Sequence, residues 1–135
     1  LVENAVLHRL EAKLGNGRVY VCITLEEKGN VLENGTYGLP SRRLNVEVED
    51  NGGGIEEKML HSLKEAMEQY DRDGTIPDKK HGIGVLNAYR RLRLFYGEKA
   101  EFEITGRAGG GTSVRLAFPV EEKEEQNVSG IFGGR

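Results

Sequence analysis

Residues 44–54 have the sequence LNVEVEDNGGG, an alternating segment followed by an abrupt break. Leu44, Val46 and Val48 alternate with polar residues, which is the pattern of a strand with one buried face. The strand ends at Asp50, and three glycines follow one residue later. Glycines at such a junction permit positive φ angles and the close approach of a ligand to the backbone. The sequence therefore predicts a strand that presents a carboxylate beside an open turn.

Glycine is the outlying feature of the composition, at 19 of 135 residues against an average usage of ~7%. Two more glycine corners are present: Gly82-Ile83-Gly84 leads into a helical pattern, and residues 109–112, Gly-Gly-Gly-Thr, lead into a strand. A glycine turn that enters a helix leaves backbone N–H groups free for a phosphate, and Thr112 adds a hydroxyl that both donates and accepts. Taken singly, each corner is also compatible with an ordinary turn.

The segments around these corners alternate between helical and extended patterns. Apolar residues recur at helical spacing in 1–14, 59–70 and 85–95, and they alternate with polar residues in 19–25, 44–48, 102–104 and 114–118. We interpret 29–43 as a long loop and 71–81 as a mobile segment. The strand at 19–25 is expected to be buried mainly on one face, and Phe95 to lie on the apolar side of the last helix.

The order of these elements indicates the fold class. Strands cluster at both ends of the chain and do not alternate regularly with helices. This order favours an α+β fold, with the helices on one face of a mixed, mostly antiparallel sheet.

Composition excludes several classes of protein. With 37% hydrophobic and 30% charged residues, the chain has no apolar run near the ~20 residues of a membrane span. The net charge of −3 and a pI near 5.7 argue against a nucleic-acid-binding surface, which requires clustered basic residues. The one cysteine, Cys22, excludes an internal disulfide framework and a thiolate metal cage.

The first helical segment carries polar residues at the edge of its apolar stripe. Asn4 is either a surface amide or an oxygen ligand for a hard cation beside a phosphate. Glu3 is either a base or a partner of the helix dipole. Lys79 and Lys80 are typical of a solvated charge run, unless their segment closes over a ligand.

In combination and order, these segments resemble the catalytic domain of sensor histidine kinases. Residues 1–6, LVENAV, resemble the N box; 50–54, 82–92 and 109–112 resemble the three glycine boxes. The resemblance covers roughly residues 1–120. Its details are similar to the bacterial membrane sensor kinases typified by the YesM and LytS proteins, in the GHKL superfamily shared with DNA gyrase, MutL and the heat-shock ATPases.

The resemblance implies the Bergerat ATP-binding fold, a two-layer α/β sandwich, here N-terminally truncated. Residues 1–120 would be the ATP-binding domain, 71–81 its ATP lid and 121–135 a flexible acidic, then glycine-rich, tail. The implied cofactors are ATP and Mg²⁺.

The resemblance also implies roles for individual residues. Asp50 would accept a hydrogen bond from the adenine amino group, with Thr112 supporting it through water. Asn4 would ligate Mg²⁺ and, with Glu3, form the catalytic pair. The ATP-binding set as a whole comprises Asn4, His8, Asp50, Gly52, Gly54, Ile55, Lys80, Gly82, Ile83, Gly84, Val85, Leu86 and Thr112.

As to activity, the resemblance implies transfer of the γ-phosphoryl group to a histidine on a separate dimerisation domain of the same kinase, and from there to a response regulator. The chain would be the cytoplasmic domain of a membrane sensor kinase that is a homodimer at full length. Neither a nucleic-acid partner nor a membrane contact of this chain is implied. None of its three histidines stands in a phosphoacceptor context.

Two departures from the family pattern leave alternatives open. Leu7 stands where the family often has a lysine that reaches phosphate, and Arg9 replaces a usual glycine. A regulatory module that binds nucleotide but transfers poorly is one alternative. An ATPase of the gyrase or MutL kind is another, but it would need a water-activating glutamate four residues before Asn4, outside this chain.

Overall fold

A computed structural model describes residues 16–78 and 82–121, apart from the side chain of Ile83. The described elements, in chain order, are β1 (Val19–Val31), β2 (Tyr37–Asp50), α1 (Glu57–Asp73), α2 (Ile83–Tyr96), a short 3-10 helix (Gly97–Lys99), β3 (Glu101–Gly106) and β4 (Thr112–Val120). The strands form one sheet in the order β1-β2-β4-β3, and each neighbouring pair is antiparallel. The α+β prediction is confirmed, with every described pairing antiparallel.

The core lies between the two helices and one face of the sheet. Leu63, Ala66 and Met67 of α1 meet a buried stripe of α2 and two residues of the sheet, Ile104 and Val114. The apolar spacing of α1 predicted this face, because residues three and four apart share one side of a helix. Both helices therefore cover the same face of the sheet, mainly over β3 and β4.

The segment 29–43 is not the long loop that we predicted. β1 continues to Val31, a short turn follows, and β2 begins at Tyr37. The ladder runs through an irregularity between Lys28 and Asn30, where the register shifts. A bulge of this kind accommodates residues that disfavour regular strands, so glycine and proline here did not mark a loop.

Two burial predictions were also wrong. Val21, Ile23 and Leu25 are 46%, 62% and 55% exposed, because β1 is an edge strand and the described helices pack mainly over β3 and β4. Phe95 is 81% exposed. Tyr96 turns toward the sheet instead and stacks on Phe118.

The segment after α1 also differs from prediction at its start. Residues 71–73 belong to α1, which ends at Gly74 with φ 75°, where the Gly74 N–H donates to the carbonyl of Tyr70. Residues 75–78 have no regular structure, and 79–81 lie outside the described residues. Within the described ranges, neither helix has the length and apolar character that a membrane crossing requires.

Candidate nucleotide-binding site

Asp50 and Thr112 face each other at one end of the sheet. Asp50 is the last residue of β2, Thr112 is the first of β4, and the two are partners in the ladder. Directly opposed residues of an antiparallel pair project to the same face. Val48 and Val114, which form the next rung on that face, are buried. The carboxylate and the hydroxyl therefore lie on the helix-covered side, where Asp50 is 1% and Thr112 0% exposed.

A local turn fixes the Asp50 side chain. Its Oδ1 accepts a hydrogen bond of 2.9 Å from the backbone N–H of Gly52. Aspartate commonly bonds to the backbone two residues ahead at a turn. This bond holds the carboxylate in one orientation at the strand end.

The first and third glycine corners are in contact. A Cβ built on Gly54 would lie 3.5 Å from the carbonyl oxygen of Gly111, and one on Gly110 would lie 3.8 Å from that of Gly52. Gly111 has φ +97°, and a Cβ there would collide with the carbonyl oxygen of Asp50. At Gly111, glycine is therefore required by both conformation and proximity.

The Thr112 hydroxyl is the unsatisfied group of the site. Its Oγ1 is buried and has no hydrogen-bond partner among the described residues. Buried hydroxyls almost always have a partner, because a missing one costs free energy. A water or a ligand next to Asp50 would supply that partner. The site therefore fits a ligand that presents a polar group to this corner.

The start of α2 forms a second part of the candidate site. Its N-cap, Gly82, has φ +78° and no side chain to occupy the free N–H groups, and the first turn carries no acidic residue. The first bond of the helix runs from the N–H of Leu86 to the carbonyl of Gly82. The N–H groups of residues 83–85 precede it and are the ones open to an anion.

Gly82 also sets the contact between the two helices. A Cβ on it would lie 2.5 Å from Cδ2 of the buried Leu63. Val85 and Leu86, one turn further, are 1% and 2% exposed and lie in the same core cluster as Val114. Their side chains thus pack in the core, and a ligand would meet their turn through the backbone.

Four of the described site residues are brought together by these contacts. Asp50, Gly52, Gly54 and Thr112 surround one corner of the sheet, and Ile55 packs against the core beside it. The other predicted residues, Glu3, Asn4, His8 and Lys80, lie outside the described residues, as does the side chain of Ile83. Their roles stay predictions.

Sequence reasoning missed Arg107 at this corner. Its guanidinium Nη1 donates a hydrogen bond of 3.1 Å to the carbonyl oxygen of Asp50. The contact joins residues 57 positions apart. No local sequence pattern indicates this contact, because an arginine directly after a strand looks like any other exposed turn residue.

Comparisons with known proteins find relatives over most of the chain. Residues 1–122 match the family described as Histidine kinase-, DNA gyrase B-, and HSP90-like ATPase. The chain is 29% identical over 124 residues to the sensor protein LytS of Enterococcus faecalis, which covers 92% of this chain and 18% of that protein. It is 32% identical over 119 residues to the sensor histidine kinase YpdA of Escherichia coli, covering 88% of this chain and 16% of that protein.

The chain thus spans less than a fifth of the length of these two relatives. Another relative, the putative uncharacterized protein YwpD of Bacillus subtilis, is 30% identical over 123 residues, which are 90% of this chain and 34% of that protein. The relatives are consistent with the LytS-like subgroup that the motifs indicated. Because the family match takes in 1–122 of 135 residues, the chain belongs to the histidine kinase-, DNA gyrase B- and HSP90-like ATPase family, whose ligand is ATP.

Proposed function

We propose that this chain binds Mg·ATP and supplies its γ-phosphoryl group to a histidine on a separate dimerisation domain of the same kinase. The observation that carries the proposal is the pairing of buried Asp50 with buried Thr112 where two glycine corners meet. A helix start with free N–H groups borders the same core. The similarity to a sensor histidine kinase over 88% of the chain supports the assignment as a kinase.

Asp50 would recognise the base. An ionised carboxylate accepts hydrogen bonds only, and the 6-amino group of adenine donates them. Because Asp50 is almost fully buried, its bond to the base forms where water does not compete and is correspondingly strong. Thr112 would complete the contact through a water molecule, which gives its hydroxyl the partner it lacks among the described residues.

The start of α2 would hold the phosphates. Gly82 and Gly84 keep side chains away from the first turn, where the free N–H groups and the helix dipole favour negative charge. Since that turn has no acidic residue, its positive end would favour phosphate over a free cation. The metal would arrive with the nucleotide and be ligated by the Asn4 amide oxygen; Mg²⁺ supplies neutralisation of the charge that develops during phosphoryl transfer.

A second candidate function is a nucleotide-binding regulatory module with impaired transfer. Leu7 favours it, because an apolar side chain stands where the family often places a lysine that reaches phosphate. The same ATP site serves both functions, so binding alone does not separate them.

The base site is tested by Asp50→Asn. Asparagine keeps an oxygen for the Gly52 N–H but loses the charge and presents a donor toward the adenine amino group. We expect ATP affinity, measured by isothermal titration calorimetry, to fall at least about tenfold, as for a lost charged hydrogen bond. The matched control is Glu103→Gln, which makes the same carboxylate-to-amide change at an exposed residue of β3. ATP binding equal to wild type in Asp50→Asn would refute the assignment.

The metal and transfer steps are tested separately. Asn4→Ala should weaken ATP binding in the presence of Mg²⁺ far more than in its absence, and equal losses would remove Asn4 from the metal role. Adding the cognate dimerisation domain and radiolabelled ATP then decides between the candidates. Phosphohistidine supports the kinase, and binding without transfer supports the regulatory module.

A further inference from the structure

Arg107 contacts the corner formed by Asp50 and Thr112, although it was not among the predicted site residues. It follows β3 and opens the turn that leads to β4: its N–H donates to the carbonyl of Gly111 at 3.0 Å, and its carbonyl accepts from Gly110 at 3.1 Å. The three glycines of this turn all have positive φ angles. The backbone of Arg107 is thereby fixed relative to the third glycine corner.

The side chain of Arg107 reaches across to β2. Nη1 donates to the carbonyl oxygen of Asp50 at 3.1 Å, and Nη2 lies 3.4 Å from Oε2 of Glu49. The two side chains are 36% and 25% exposed, so the pair is partly shielded from solvent. Arg107 therefore joins the two glycine corners that border the adenine position.

The carbonyl oxygen that accepts the hydrogen bond from Arg107 is also the atom that restricts position 111 to glycine. The Asp50 carbonyl oxygen occupies the space into which a Cβ on Gly111 would project. On the opposite side, the next residue, Asn51, is tied to the start of β1: its side-chain Oδ1 accepts from the Arg18 N–H at 2.7 Å. The peptide bond after Asp50 is thus held on one side by Arg107 and on the other by the start of β1.

From this geometry, and resting on the proposed function, we propose that Arg107 is a positioning residue for adenine recognition. By holding the Asp50 carbonyl, the guanidinium fixes the backbone from which the carboxylate projects. It acts through Asp50, whose carbonyl oxygen accepts its hydrogen bond. Arg107 therefore determines how well the site distinguishes a base that carries a 6-amino group from one that does not.

The test compares ATP with purine riboside triphosphate, which lacks the 6-amino group, by calorimetry or competition on the 135-residue chain. For Arg107→Ala we expect ATP affinity to fall about threefold to tenfold, the range for one hydrogen bond. Affinity for purine riboside triphosphate should stay near wild type, so the preference for ATP shrinks. Arg107→Lys, which retains a donor, should restore part of it.

Arg115→Ala is the matched control. Arg115 also forms an ion pair on the open face of the sheet, with Nε 2.6 Å from Oε1 of Glu47, and makes no contact with Asp50 among the described hydrogen bonds. It should leave both affinities unchanged.

Equal losses for the two nucleotides in Arg107→Ala would mean that Arg107 only stabilises the fold, and unchanged ATP affinity would mean that it positions nothing; either result overturns the inference. A wild-type chain that fails to bind ATP refutes the proposed function instead, so the two failures are distinguishable.

Discussion

Two buried hydroxyl groups, one near each end of the sheet, differ in their hydrogen bonding. At the end distant from Asp50, the Tyr89 hydroxyl donates to Asp71 at 2.5 Å and accepts from Arg93 Nε at 3.0 Å. Arg93 in turn donates to the carbonyls of Gly97 and Ala100, which precede β3. At the Asp50 end, the Thr112 hydroxyl has no partner within the described part of the chain.

This difference separates stability from function. The network around Tyr89 ties α1, α2 and the start of β3 together and leaves its hydroxyl satisfied on both sides. The corner around Thr112 is just as buried but incomplete, as expected of a surface that a ligand completes. Removing the Tyr89 hydroxyl should therefore lower stability, and removing the Thr112 hydroxyl should lower affinity.

Gly111→Ala should have the largest effect, because it alters both stability and the site. The new Cβ would collide with the Asp50 carbonyl, and alanine is strained at φ +97°. We expect the free energy of unfolding in urea to fall by at least about 2 kcal/mol and ATP binding to weaken. Gly109→Ala, with φ +86° but open space around it, should show only the strain, about 1 kcal/mol. Equal losses for the two variants would contradict the close packing of the corners.

Tyr89→Phe should lower stability and leave the nucleotide site intact. Removing the hydroxyl breaks its bonds to Asp71 and Arg93, which should cost about 1–3 kcal/mol in urea unfolding. Tyr70→Phe is the control: the neighbouring ring packs edge-to-face at 6.2 Å, and its hydroxyl forms no bond within the described residues. ATP affinity should match wild type in both variants. A loss of ATP affinity confined to Tyr89→Phe would mean that the distant end is part of the binding site.

The Tyr89 hydroxyl also makes the stability difference between wild type and Tyr89→Phe depend on pH. Burial, followed by the hydrogen bond to Asp71, raises the pKa of Tyr89 above its ordinary value. The folded state therefore holds this proton more tightly than the unfolded state does. The stabilisation should be complete below about pH 10, the ordinary tyrosine pKa, and be lost as pH rises above it. The stability gap between wild type and Tyr89→Phe should accordingly narrow above about pH 10, and a constant gap would contradict the pKa shift.

Thr112→Val should have the smallest effect on stability. The substitution keeps the shape and removes a hydroxyl that has no partner in the described structure. Unfolding free energy should therefore be unchanged or rise by up to about 1 kcal/mol, while ATP affinity falls about threefold to tenfold. A clear loss of stability would show that the hydroxyl is already satisfied without a ligand.

Much of the fold followed from sequence because pattern and packing agree. The spacing of Leu63, Ala66 and Met67 predicted the buried face of α1, and the alternation before Asp50 predicted β2. The failures lie where burial is set by distant parts of the chain. The apolar alternation of β1 does not reveal that it is an edge strand, and the residues of 29–43 that suggested a loop are accommodated in a bulged hairpin.

For the candidate site, the sequence suggested residues but not the contacts between them. The glycine corners and Asp50 were recognisable because their chemistry is local: a strand end, a turn and a helix start. The contact of Arg107 with the Asp50 carbonyl spans 57 residues. The need for glycine at 111 likewise depends on that carbonyl, which only the folded chain brings near.

The most direct test of the central claim is a backbone amide NMR titration of the chain with ATP and Mg²⁺. We predict that the shift changes concentrate at residues 50–54, 82–86 and 109–112. All three segments should show the same midpoint in nucleotide concentration, while residues 93–100 at the far end stay unchanged. Changes confined to one of these corners, or centred on 93–100, would contradict a single ATP site formed where the corners meet.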